Sequence, residues 1–445
     1  MNVTIPIPSH IEKIISTLES GSHQAFIVGG CVRDSIMGRE PSDWDITTSA
    51  LPEETKECFK EYKTLDTGIK HGTVTVLAEG RAVEITTFRK EEGYSDNRHP
   101  DRVDFVKDIE SDLSRRDFTV NAMAYNPKTG LADPFSGRED IEKKVIRCVG
   151  DGEKRFTEDA LRIMRALRFS SVLGFEIEEE TSRCVHELKG LLKNVSAERL
   201  RDELMKLLSG KDAYRVLKEY DDVIFTLIPE LEKEKGTEQN CVYHIYDVWE
   251  HTLTAVREAD NDPVLRLTML LHDIAKPRCK VTDEKGIDHF PGHAAVGADM
   301  AFDILKGLKF DNKTISTVTK LVLHHDDRVY NDLKKLPLYA AEFGFDFCLM
   351  LDRVSRADTL GQNKRFFNVL EKCDIYIEEL EKLRSSGLCL DKRDLEITGS
   401  DLRKLGYEGR EIGKKFDEIF EKVLLRELDN NKEKLLEYAS KRTDS

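Results

Sequence analysis

The spacing of hydrophobic residues changes once along this chain and divides it into two parts. Over the first part, apolar positions come in short runs that predict strands at 26–28, 44–47, 73–78, 82–88 and 103–106. One amphipathic helix is predicted over 9–20, with Ser9 as its N-cap. From about residue 153 the apolar residues follow helical spacing almost to the C-terminus. The pattern therefore predicts an α+β protein, with a small mixed β-sheet and flanking helices followed by an all-α body.

Composition and charge narrow the class of protein. The chain has 445 residues, of which 39% are hydrophobic and 34% charged, and this fits a soluble multidomain protein. Its nine cysteines are scattered without a C-x-x-C pair, which argues for reduced thiols in the cytosol. Because no apolar stretch is long enough to span a membrane and no N-terminal signal is visible, we expect a cytoplasmic protein. The net charge of −15 argues against indiscriminate coating of nucleic acid, although a local basic face would still bind RNA.

Residues 26–48 hold the densest chemical pattern of the first part. The apolar run ends in Gly29-Gly30, and Arg33 follows at the start of a predicted helix. A glycine turn of this kind lets a phosphate approach the backbone. Asp43 and Asp45 are two residues apart on a predicted strand, so their carboxylates share a face, and a divalent cation such as Mg²⁺ would offset their repulsion. The pattern predicts a nucleoside triphosphate site, and the alternative is a solvated Asp-x-Asp loop.

Two groups of arginines follow this motif. Arg115 and Arg116 precede an apolar segment and could grip a triphosphate, or form an ion pair at a helix end instead. Asp159, Arg162 and Arg165 recur every three residues, so on one helix they would share a face. A carboxylate that accepts and a guanidinium that donates can together read the edge of a base. A salt bridge on a solvated helix face is the alternative.

Histidines cluster in the helical part. Half of the chain's 12 histidines fall between residues 251 and 325. The series, continued by one aspartate, is His251, His272-Asp273, His289, His293, His324-His325-Asp326 and Asp358. Imidazoles and carboxylates spaced along helices in this way predict a site for a divalent metal. His289 is a candidate bystander, and either His324 or His325 is the expected ligand. The alternative is a helical scaffold whose metal chemistry is vestigial.

Several of these motifs, taken in order, resemble one known family. The matching stretches are 29–34, 43–47, 67–74, 84–89, 115–122, 131–135 and 155–174. Over residues 20–210 the chain resembles the class II tRNA nucleotidyltransferases, the bacterial family of CCA-adding enzymes and poly(A) polymerases. The later chain resembles the HD-containing branch of that family. The resemblance implies a nucleotidyltransferase head at 1–147, a helical neck with the base-recognition helix at 148–240, an HD-type metal-dependent domain at 241–370 and a C-terminal helical tRNA-binding region at 371–445.

The resemblance also assigns roles to single residues. Asp43 and Asp45 match the catalytic carboxylates that hold Mg²⁺. The matches to nucleotide-binding positions are Gly30, Arg33, Arg115 and Arg116 for the triphosphate, Asp159 and Arg162 for the incoming base, and Arg165 and Arg168 along the same arginine face. The matches to HD metal ligands, which would hold a second divalent metal, are His251, His272, Asp273, His293, His325 and Asp358.

A reaction follows from these roles. Two Mg²⁺ ions would bridge the RNA 3′-hydroxyl and the α-phosphate of CTP or ATP, so that no covalent nucleophile is needed. Glu84 is a candidate third carboxylate, and residues 196–204 resemble the neck motif that braces the base-reading helix. For the HD site the resemblance implies hydrolysis of a phosphomonoester or a 2′,3′-cyclic phosphate.

Within the family the sequence favours CCA addition to tRNA. Residues 66–74 resemble the CCA group, and the Gly-Arg-Arg-Phe-like stretch of the poly(A) polymerases is absent. The polar segment 89–102 predicts the flexible loop that permits the change from C to A, although His99 stands where the family more often has arginine. An A-only enzyme and a poly(A) polymerase are the alternatives within the family, and a phosphohydrolase or RNA-binding protein with an inactive head is the alternative outside it. Basic residues beside glycines predict contacts to the tRNA backbone at Arg403, Lys404, Arg410, Lys414 and Lys415.

Overall fold

The computed structural model describes residues 4–68, 72–94, 101–388 and 390–441, and the structural statements below concern these residues. They fold into two compact units, Met1–Pro229 and Glu230–Ser445. Residues 69–71 of the 67–74 motif, His99 in the predicted loop, and Cys389 lie outside the described residues. In the described part of the chain, no helix combines the length and the hydropathy that crossing a membrane requires.

A mixed β-sheet forms the core of the first unit. The strands up to residue 132 are β1 (Ala25–Val28), β2 (Ile46–Thr48), β3 (Lys63–Gly68), β4 (Thr73–Ala78), β5 (Arg81–Thr87), β6 (Arg89–Glu92), β7 (Arg102–Phe105), β8 (Ala124–Asn126) and β9 (Gly130–Ala132). Seven of them form a sheet in the order β3-β4-β5-β2-β1-β8-β9, and β6 pairs with β7 in a separate ribbon. Neighbours in the sheet are antiparallel except β2 and β5, which are parallel. The apolar strands β1 and β2 are buried at its centre.

Several strands were not predicted from the spacing of apolar residues. Strand β3 is the edge of the sheet and reads KTLDTG, which is too polar to show apolar alternation. Strands β8 and β9 have three residues each, too few for a period to be visible. The prediction of a loop over 89–102 is wrong at both ends, because β6 and β7 pair there from Arg89↔Phe105 to Glu92↔Arg102.

Helices pack around this sheet and continue beyond it. In the first unit they are α1 (Ser9–Ser20), α2 (Gly30–Ile36), α3 (Pro52–Cys58), α4 (Ile109–Ser114), α5 (Gly137–Lys143), α6 (Gly152–Glu158), α7 (Leu161–Leu173), α8 (Glu179–Leu188), α9 (Ala197–Leu208), α10 (Ala213–Glu219) and α11 (Asp221–Leu227). Two-residue strands β10 (Val145–Ile146) and β11 (Glu176–Ile177) form a parallel pair. The predicted helix 9–20 is confirmed, but its N-cap is Pro8 and not Ser9.

A break between α6 and α7 corrects the expectation that Asp159, Arg162 and Arg165 lie on one helix. Asp159 has an extended backbone, with φ −137° and ψ 101°, so it does not lie on the helix that carries Arg162 and Arg165. Its carboxylate accepts a hydrogen bond from the backbone N–H of Leu161 at 3.2 Å, at the start of α7. Thr157 lies in the last turn of α6, where its hydroxyl donates to the carbonyl of Glu153.

The second unit is almost entirely helical. Its helices are α12 (Val248–Glu258), α13 (Pro263–Leu271), α14 (Lys276–Cys279), α15 (His293–Gly307), α16 (Asn312–His324), α17 (Leu336–Phe343), α18 (Phe345–Leu360), α19 (Val369–Ser385), α20 (Gly399–Lys404), α21 (Arg410–Leu424) and α22 (Lys432–Ser440). A short hairpin of β12 (Val281–Thr282) and β13 (Asp288–His289) interrupts them. Helices α12, α13, α16 and α18 pack on one another, while α20, α21 and α22 surround a separate apolar cluster. The predicted α+β class, with a mixed sheet followed by a helical body, is confirmed.

Candidate functional site

The centre of the sheet positions three carboxylates. Asp43 and Asp45 lie in the extended segment that leads into β2, and the backbone N–H of Val28 in β1 donates to the carbonyl of Asp45 at 3.0 Å. Because β2 and β5 are parallel and pair Ile46 with Ile85, Asp45 is aligned with Glu84, one residue earlier on each strand. The register therefore brings the candidate third carboxylate to the predicted pair.

A cavity of about 600 Å³ opens beside these two central strands, and all three carboxylates line it. Partial desolvation raises the pKa of Asp45, the charge of Arg116 opposes this shift, and Glu84 and Asp43 raise the pKa further. The hydroxyl of Ser42 donates to Asp43 at 3.0 Å. The three carboxylates do not form a cluster whose oxygens all lie within 4.8 Å of one another. They form an open rim of negative charge with hard oxygen donors, the type of ligand that Mg²⁺ prefers.

The glycine turn after β1 brings two arginines together. Gly29 has φ +80°, and a side chain there would meet Arg116 Nη1 at 3.1 Å, so the turn needs glycine for its conformation and for the close approach. Arg33 donates from Nη1 to Asn121 Oδ1 at 2.7 Å and from Nε to Asp34 at 2.9 Å. Two guanidinium groups are thus held beside the turn that the sequence assigned to phosphate.

Arg115 and Arg116 converge on one buried carboxylate. Asp112 is fully buried and lies 2.9 Å from Arg115 Nη2 and 3.5 Å from Arg116 Nη2. Burial alone would raise the pKa of Asp112, but the two arginines lower it below its usual value. Arg115 also donates to Glu91 on β6 at 3.3 Å. Arg116 Nε is buried without a hydrogen-bond partner among the described residues, so Arg116 retains donor capacity for another anion.

The predicted base-reading residues are each held by a different partner. Asp159 Oδ2 accepts from Arg199 on α9 at 2.9 Å. Arg162 lies 2.9 Å from Glu158 and donates from Nη2 to the carbonyl of Arg115 at 3.1 Å. The structure therefore places Asp159 and Arg162 at the same helix break, with both side chains fixed from outside the pair.

The remaining arginines of α7 are anchored by buried acids. Arg165 Nε donates to Asp117 Oδ2 at 2.8 Å, and Arg168 Nε lies 2.5 Å from Glu203 Oε2 on α9. Although burial opposes it, Arg165 lowers the pKa of Asp117 to about 2. The guanidinium of Arg168 also stacks over the ring of Phe169, with 3.8 Å from Cζ to the ring centroid.

Asp117 was not singled out from the sequence, although it directly follows the two arginines of the motif. Arg199 and Glu203 lie within residues 196–204, for which the resemblance implied a brace of the base-reading helix. Only helix packing identifies their individual partners, Asp159 and Arg168.

The histidine series converges in the second unit. His251 lies on α12, His272 and Asp273 directly follow α13, and His293 begins α15. His325 directly follows α16, and Asp358 lies in the last turn of α18. All six predicted residues therefore meet where these helix ends come together.

The six side chains form two groups that share Asp273. One group is His251, His272 and Asp273, and the other is Asp273, His293 and His325; the ligand atoms within each lie within 4.8 Å of one another. Asp358 joins the first group, with Oδ1 at 3.0 Å from His251 Nε2. Both Asp273 oxygens are buried and accept no hydrogen bond of good geometry. Burial would raise the pKa of Asp273, but His272 and Lys276 hold it well below its usual value.

The hydrogen bonds of the four imidazoles set their tautomers. Each Nδ1 faces a backbone carbonyl, at distances of 2.7 to 3.1 Å, in Gly361, Met269, Phe290 and Val322 for His251, His272, His293 and His325. Since a carbonyl only accepts, Nδ1 carries the hydrogen and the neutral ring presents the lone pair of Nε2 to the centre. Nε2 atoms of His251 and His272 are 3.2 Å apart, as are those of His293 and His325. Two Nε2 atoms at this distance can bind the same divalent metal ion, and the buried carboxylate of Asp273 lies beside both pairs.

The structure separates His325 from its neighbours in the series. His324 turns away from the centre, where Nδ1 lies 2.7 Å from Asp327 and the ring packs on Phe343. His289 is exposed and pairs with Asp283 at 3.0 Å, outside the cluster, as expected for a bystander. Of the two candidates, His325 lies in the cluster and His324 does not.

A cavity of about 900 Å³ opens onto this cluster. Asp273, His293, His325 and Asp358 form part of its wall, and Lys276 and Arg328 add two cations. The remaining acidic lining residues are Asp288, Asp326 and Asp327. Lys276 is buried and donates to Gln239 at 2.9 Å while pairing with Asp273 at 2.7 Å. The cavity is therefore suited to an anionic ligand next to the histidine cluster.

Family models match most of the chain. A model described as the Poly A polymerase head domain matches residues 25–147, and a probable RNA and SrmB-binding site of polymerase A matches residues 174–233. The HD domain matches residues 241–343, and tRNA nucleotidyltransferase domain 2 matches residues 293–439.

Individual relatives agree with these models. The chain is 33% identical over 433 residues to the CCA-adding enzyme of Enterococcus faecalis, covering 96% of this chain and 94% of the relative. It is 52% identical over 197 residues to the CCA-adding enzyme of Lactobacillus helveticus, covering 44% of this chain. In that match and others of similar identity, the chain spans about half the length of the curated relatives. The crystal structure of the Bacillus stearothermophilus CCA-adding enzyme in complex with CTP aligns with a TM-score of 0.75 and 30% identity, over 97% of this chain and 96% of that one.

Proposed function

Because the chain belongs to the family of CCA-adding enzymes, we propose that it adds C, C and A to the 3′ end of tRNA from CTP and ATP without a nucleic-acid template. The carrying observation is the pair Asp43 and Asp45 on the wall of a cavity, within electrostatic reach of Arg116 and beside the Gly29 turn. An A-only enzyme and a poly(A) polymerase are the alternatives that the assay below separates.

Asp43 and Asp45, with Glu84 beside them, would hold Mg²⁺. All are oxygen donors on one rim. Burial raises the pKa of Asp45, the negative charges of Glu84 and Asp43 raise it further, and a bound divalent cation would favour the ionised carboxylate. When bound, the metal would neutralise charge on the triphosphate and make the attacking 3′-hydroxyl more acidic. Ser42 orients the Asp43 carboxylate through its hydroxyl.

Arg33, Arg115 and Arg116 would bind the triphosphate around the Gly29-Gly30 turn. Each guanidinium is already fixed by a neighbour, so little side-chain entropy is lost when an anion arrives. The unpartnered Nε of Arg116 offers a hydrogen bond that no described residue takes. These residues would stabilise the charge that develops on the departing pyrophosphate.

Asp159 and Arg162 would select the base. Arg199 and Glu158 fix them independently, so that one acceptor and one donor are presented at the break between α6 and α7. Arg165 and Arg168, anchored by Asp117 and Glu203, would support this surface as positioning residues.

The test is incorporation on three acceptors. Transcripts of tRNA that lack CCA, CA or only A are incubated with CTP and ATP, separately and together. We expect each end to be completed to CCA. Addition only to tRNA ending in CC would show an A-only enzyme, long A tails would show a poly(A) polymerase, and no incorporation would refute the proposal.

A matched pair of variants ties the activity to the carboxylates. Asp43→Asn is expected to abolish incorporation, because the exchange removes one charged ligand. Asp202→Asn removes the same charge from an exposed position on α9 and is expected to leave incorporation unchanged. Equal activity of Asp43→Asn and the wild type would contradict the assignment.

We further propose a metal-dependent phosphoester hydrolase in the second unit. The observation that favours it is the set of four histidine Nε2 atoms around the buried carboxylate of Asp273. The two groups that share Asp273, with Asp358, would hold divalent metal, which would supply Lewis-acid activation of a phosphoester. Lys276 and Arg328 on the cavity wall would bind the phosphate.

The second proposal is tested by metal content and by hydrolysis. The purified protein is analysed by elemental mass spectrometry, and hydrolysis of a 2′,3′-cyclic nucleotide and of a phosphomonoester is measured with Mg²⁺, Mn²⁺, Co²⁺ or Ni²⁺. Asp273→Asn is expected to lose both metal and hydrolysis, whereas Asp283→Asn, a surface partner of His289, keeps both. Absence of stoichiometric metal from the wild type after reconstitution would refute the metal site.

We also propose the division into a head at 1–147, a neck at 148–240, an HD domain at 241–370 and a tRNA-binding region at 371–445. In the last region, Arg403, Lys404, Arg410 and Lys414 are exposed and available to a phosphate backbone. Lys415 is buried and pairs with Glu418 at 3.1 Å, so its predicted RNA contact is not supported.

A further inference from the structure

The cavity beside Asp43 and Asp45 has a wall that the proposed nucleotide site does not use. His10 from α1, Trp44 between the two aspartates, and Arg81 at the start of β5 line it together with the carboxylates. Gly29, Gly30, Arg33 and Arg116 are not among its lining residues. The carboxylates therefore stand between two surfaces, one with the phosphate-binding arginines and one with His10, Trp44 and Arg81.

In-line transfer needs both surfaces. The attacking 3′-hydroxyl and the departing pyrophosphate occupy opposite sides of the α-phosphate. If Arg33 and Arg116 bind the triphosphate, the pyrophosphate leaves on their side. The acceptor must then approach from the other side, where the cavity opens. Glu84, the third carboxylate, lies on this same wall.

The side chains on this wall suit a single-stranded nucleotide. Trp44 is half-buried and lines this wall, and an indole ring is a surface on which any base can stack. Arg81 is exposed and has no acidic partner within the described part of the chain, so its charge is available to a phosphate. His10 is buried at the base of the wall and adds a hydrogen-bonding ring.

We propose that His10, Trp44 and Arg81 form the subsite for the 3′-terminal nucleotide of the acceptor RNA. Trp44 stacks on its base, and Arg81 binds the phosphate on its 5′ side. The subsite accepts any terminal base, because stacking and phosphate binding carry no base code. The inference rests on the proposed nucleotidyl transfer and adds to it the place of the acceptor.

Steady-state kinetics separate the acceptor from the nucleotide. With tRNA lacking CCA varied at saturating CTP, Arg81→Gln is expected to raise KM for tRNA about tenfold, in the range of a lost charged contact. KM for CTP, measured at saturating tRNA, should stay within about a factor of two of the wild-type value, because a substitution outside the CTP site has little effect on CTP binding. Trp44→Leu is expected to raise KM for tRNA by about tenfold, and Trp44→Phe by far less, because phenylalanine keeps an aromatic face.

The salt dependence identifies the phosphate contact. One lost contact to single-stranded RNA should reduce the slope of log(kcat/KM) for tRNA against log[salt] by about 0.7 for Arg81→Gln. Lys13→Gln is the matched control, since Lys13 is an exposed cation on the same helix as His10 but does not line the cavity. If Arg81 acts through a direct contact and not through general electrostatic attraction, Lys13→Gln should leave the slope of log(kcat/KM) against log[salt] unchanged.

Opposite outcomes overturn the proposal. A higher KM for CTP with unchanged KM for tRNA would assign the cavity to the incoming nucleotide. Unchanged kinetics of both Arg81→Gln and Trp44→Leu in an active enzyme would leave no role for this wall. Binding without nucleotide keeps the two levels distinct: Arg81→Gln and Trp44→Leu should each bind tRNA lacking CCA more weakly than the wild type does. If both variants bind this tRNA as tightly as the wild type, the subsite is refuted; if they bind it more weakly but the wild type incorporates nothing, only nucleotidyl transfer is refuted.

Discussion

Asp117→Asn is expected to destabilise the first unit by about 2 kcal/mol at pH 7. Asp117 is 8% exposed and accepts from Arg165 Nε at 2.8 Å, from the N–H of Phe118 at 2.8 Å and from Asn121 at 3.4 Å. The pKa of this carboxyl falls from 3.8 to about 2 on folding. Since each tenfold change in proton affinity corresponds to about 1.4 kcal/mol, the ionised form is stabilised by about 2 kcal/mol. Asparagine has the same shape, but its amide cannot satisfy both Arg165 and Phe118.

The pH dependence of this loss has a defined sign. The pKa is lowered in the folded state, so the stabilisation is complete above the unfolded pKa of about 3.9 and disappears as the pH falls through about 2. The difference between wild type and Asp117→Asn should be constant from pH 7 to pH 5 and should shrink below pH 4. We also expect slower incorporation of both CTP and ATP, because Arg165 loses the partner that fixes it.

The change in stability is measured by tryptophan fluorescence, because the chain has one tryptophan in each unit, Trp44 in the first and Trp249 in the second. In a Trp249→Phe background, fluorescence of Trp44 reports unfolding of the first unit alone in urea. The midpoint and slope give the change in free energy of unfolding. Glu180→Gln, which removes an exposed partner of Arg183, is the control and should leave the midpoint unchanged. A loss below about 0.5 kcal/mol, or one independent of pH down to pH 3, would refute the reasoning from the buried ion pair.

Three further outcomes are expected. Arg199→Met should raise KM for CTP and ATP about tenfold while leaving KM for tRNA unchanged, because Asp159 loses its charged partner; equal KM values in Arg199→Met and wild type would contradict this. Gly29→Ala should lower kcat at least tenfold, since φ is +80° and the new Cβ would lie 3.1 Å from Arg116 Nη1; an unperturbed kcat in a folded protein would show that the turn is not needed. Removing metal with a chelator should lower the thermal midpoint reported by Trp249 and leave that of the first unit unchanged, and addition of metal should restore it; a chelator-insensitive midpoint would argue against a metal that stabilises this unit.

The fold and the site differ in how much the sequence revealed. The buried central strands and most helices follow from periodicity, because apolar spacing of two or about 3.6 residues is read within a few residues of chain. The edge strand β3 and strand β6 lack that spacing, because most of their residues are polar, whereas β7 was predicted at 103–106. The break at Asp159 also has no periodic signal, because apolar residues continue in helical register on both sides of it.

The sequence by itself determined which chemistry this chain carries: an Asp-x-Asp pair after a glycine turn, a run of arginines, and a histidine–aspartate series. Only the tertiary structure decided which of these residues contact one another. The parallel register of β2 and β5 brings Glu84 beside Asp45, Asp117 meets Arg165 from 48 residues away, and His325 lies in the histidine cluster while His324 turns to Asp327. The physical reason is the separation along the chain of the residues that interact. Secondary structure depends on neighbours a few residues apart, whereas strand register and the packing of helix ends depend on segments that are distant in the chain and meet only in the folded protein.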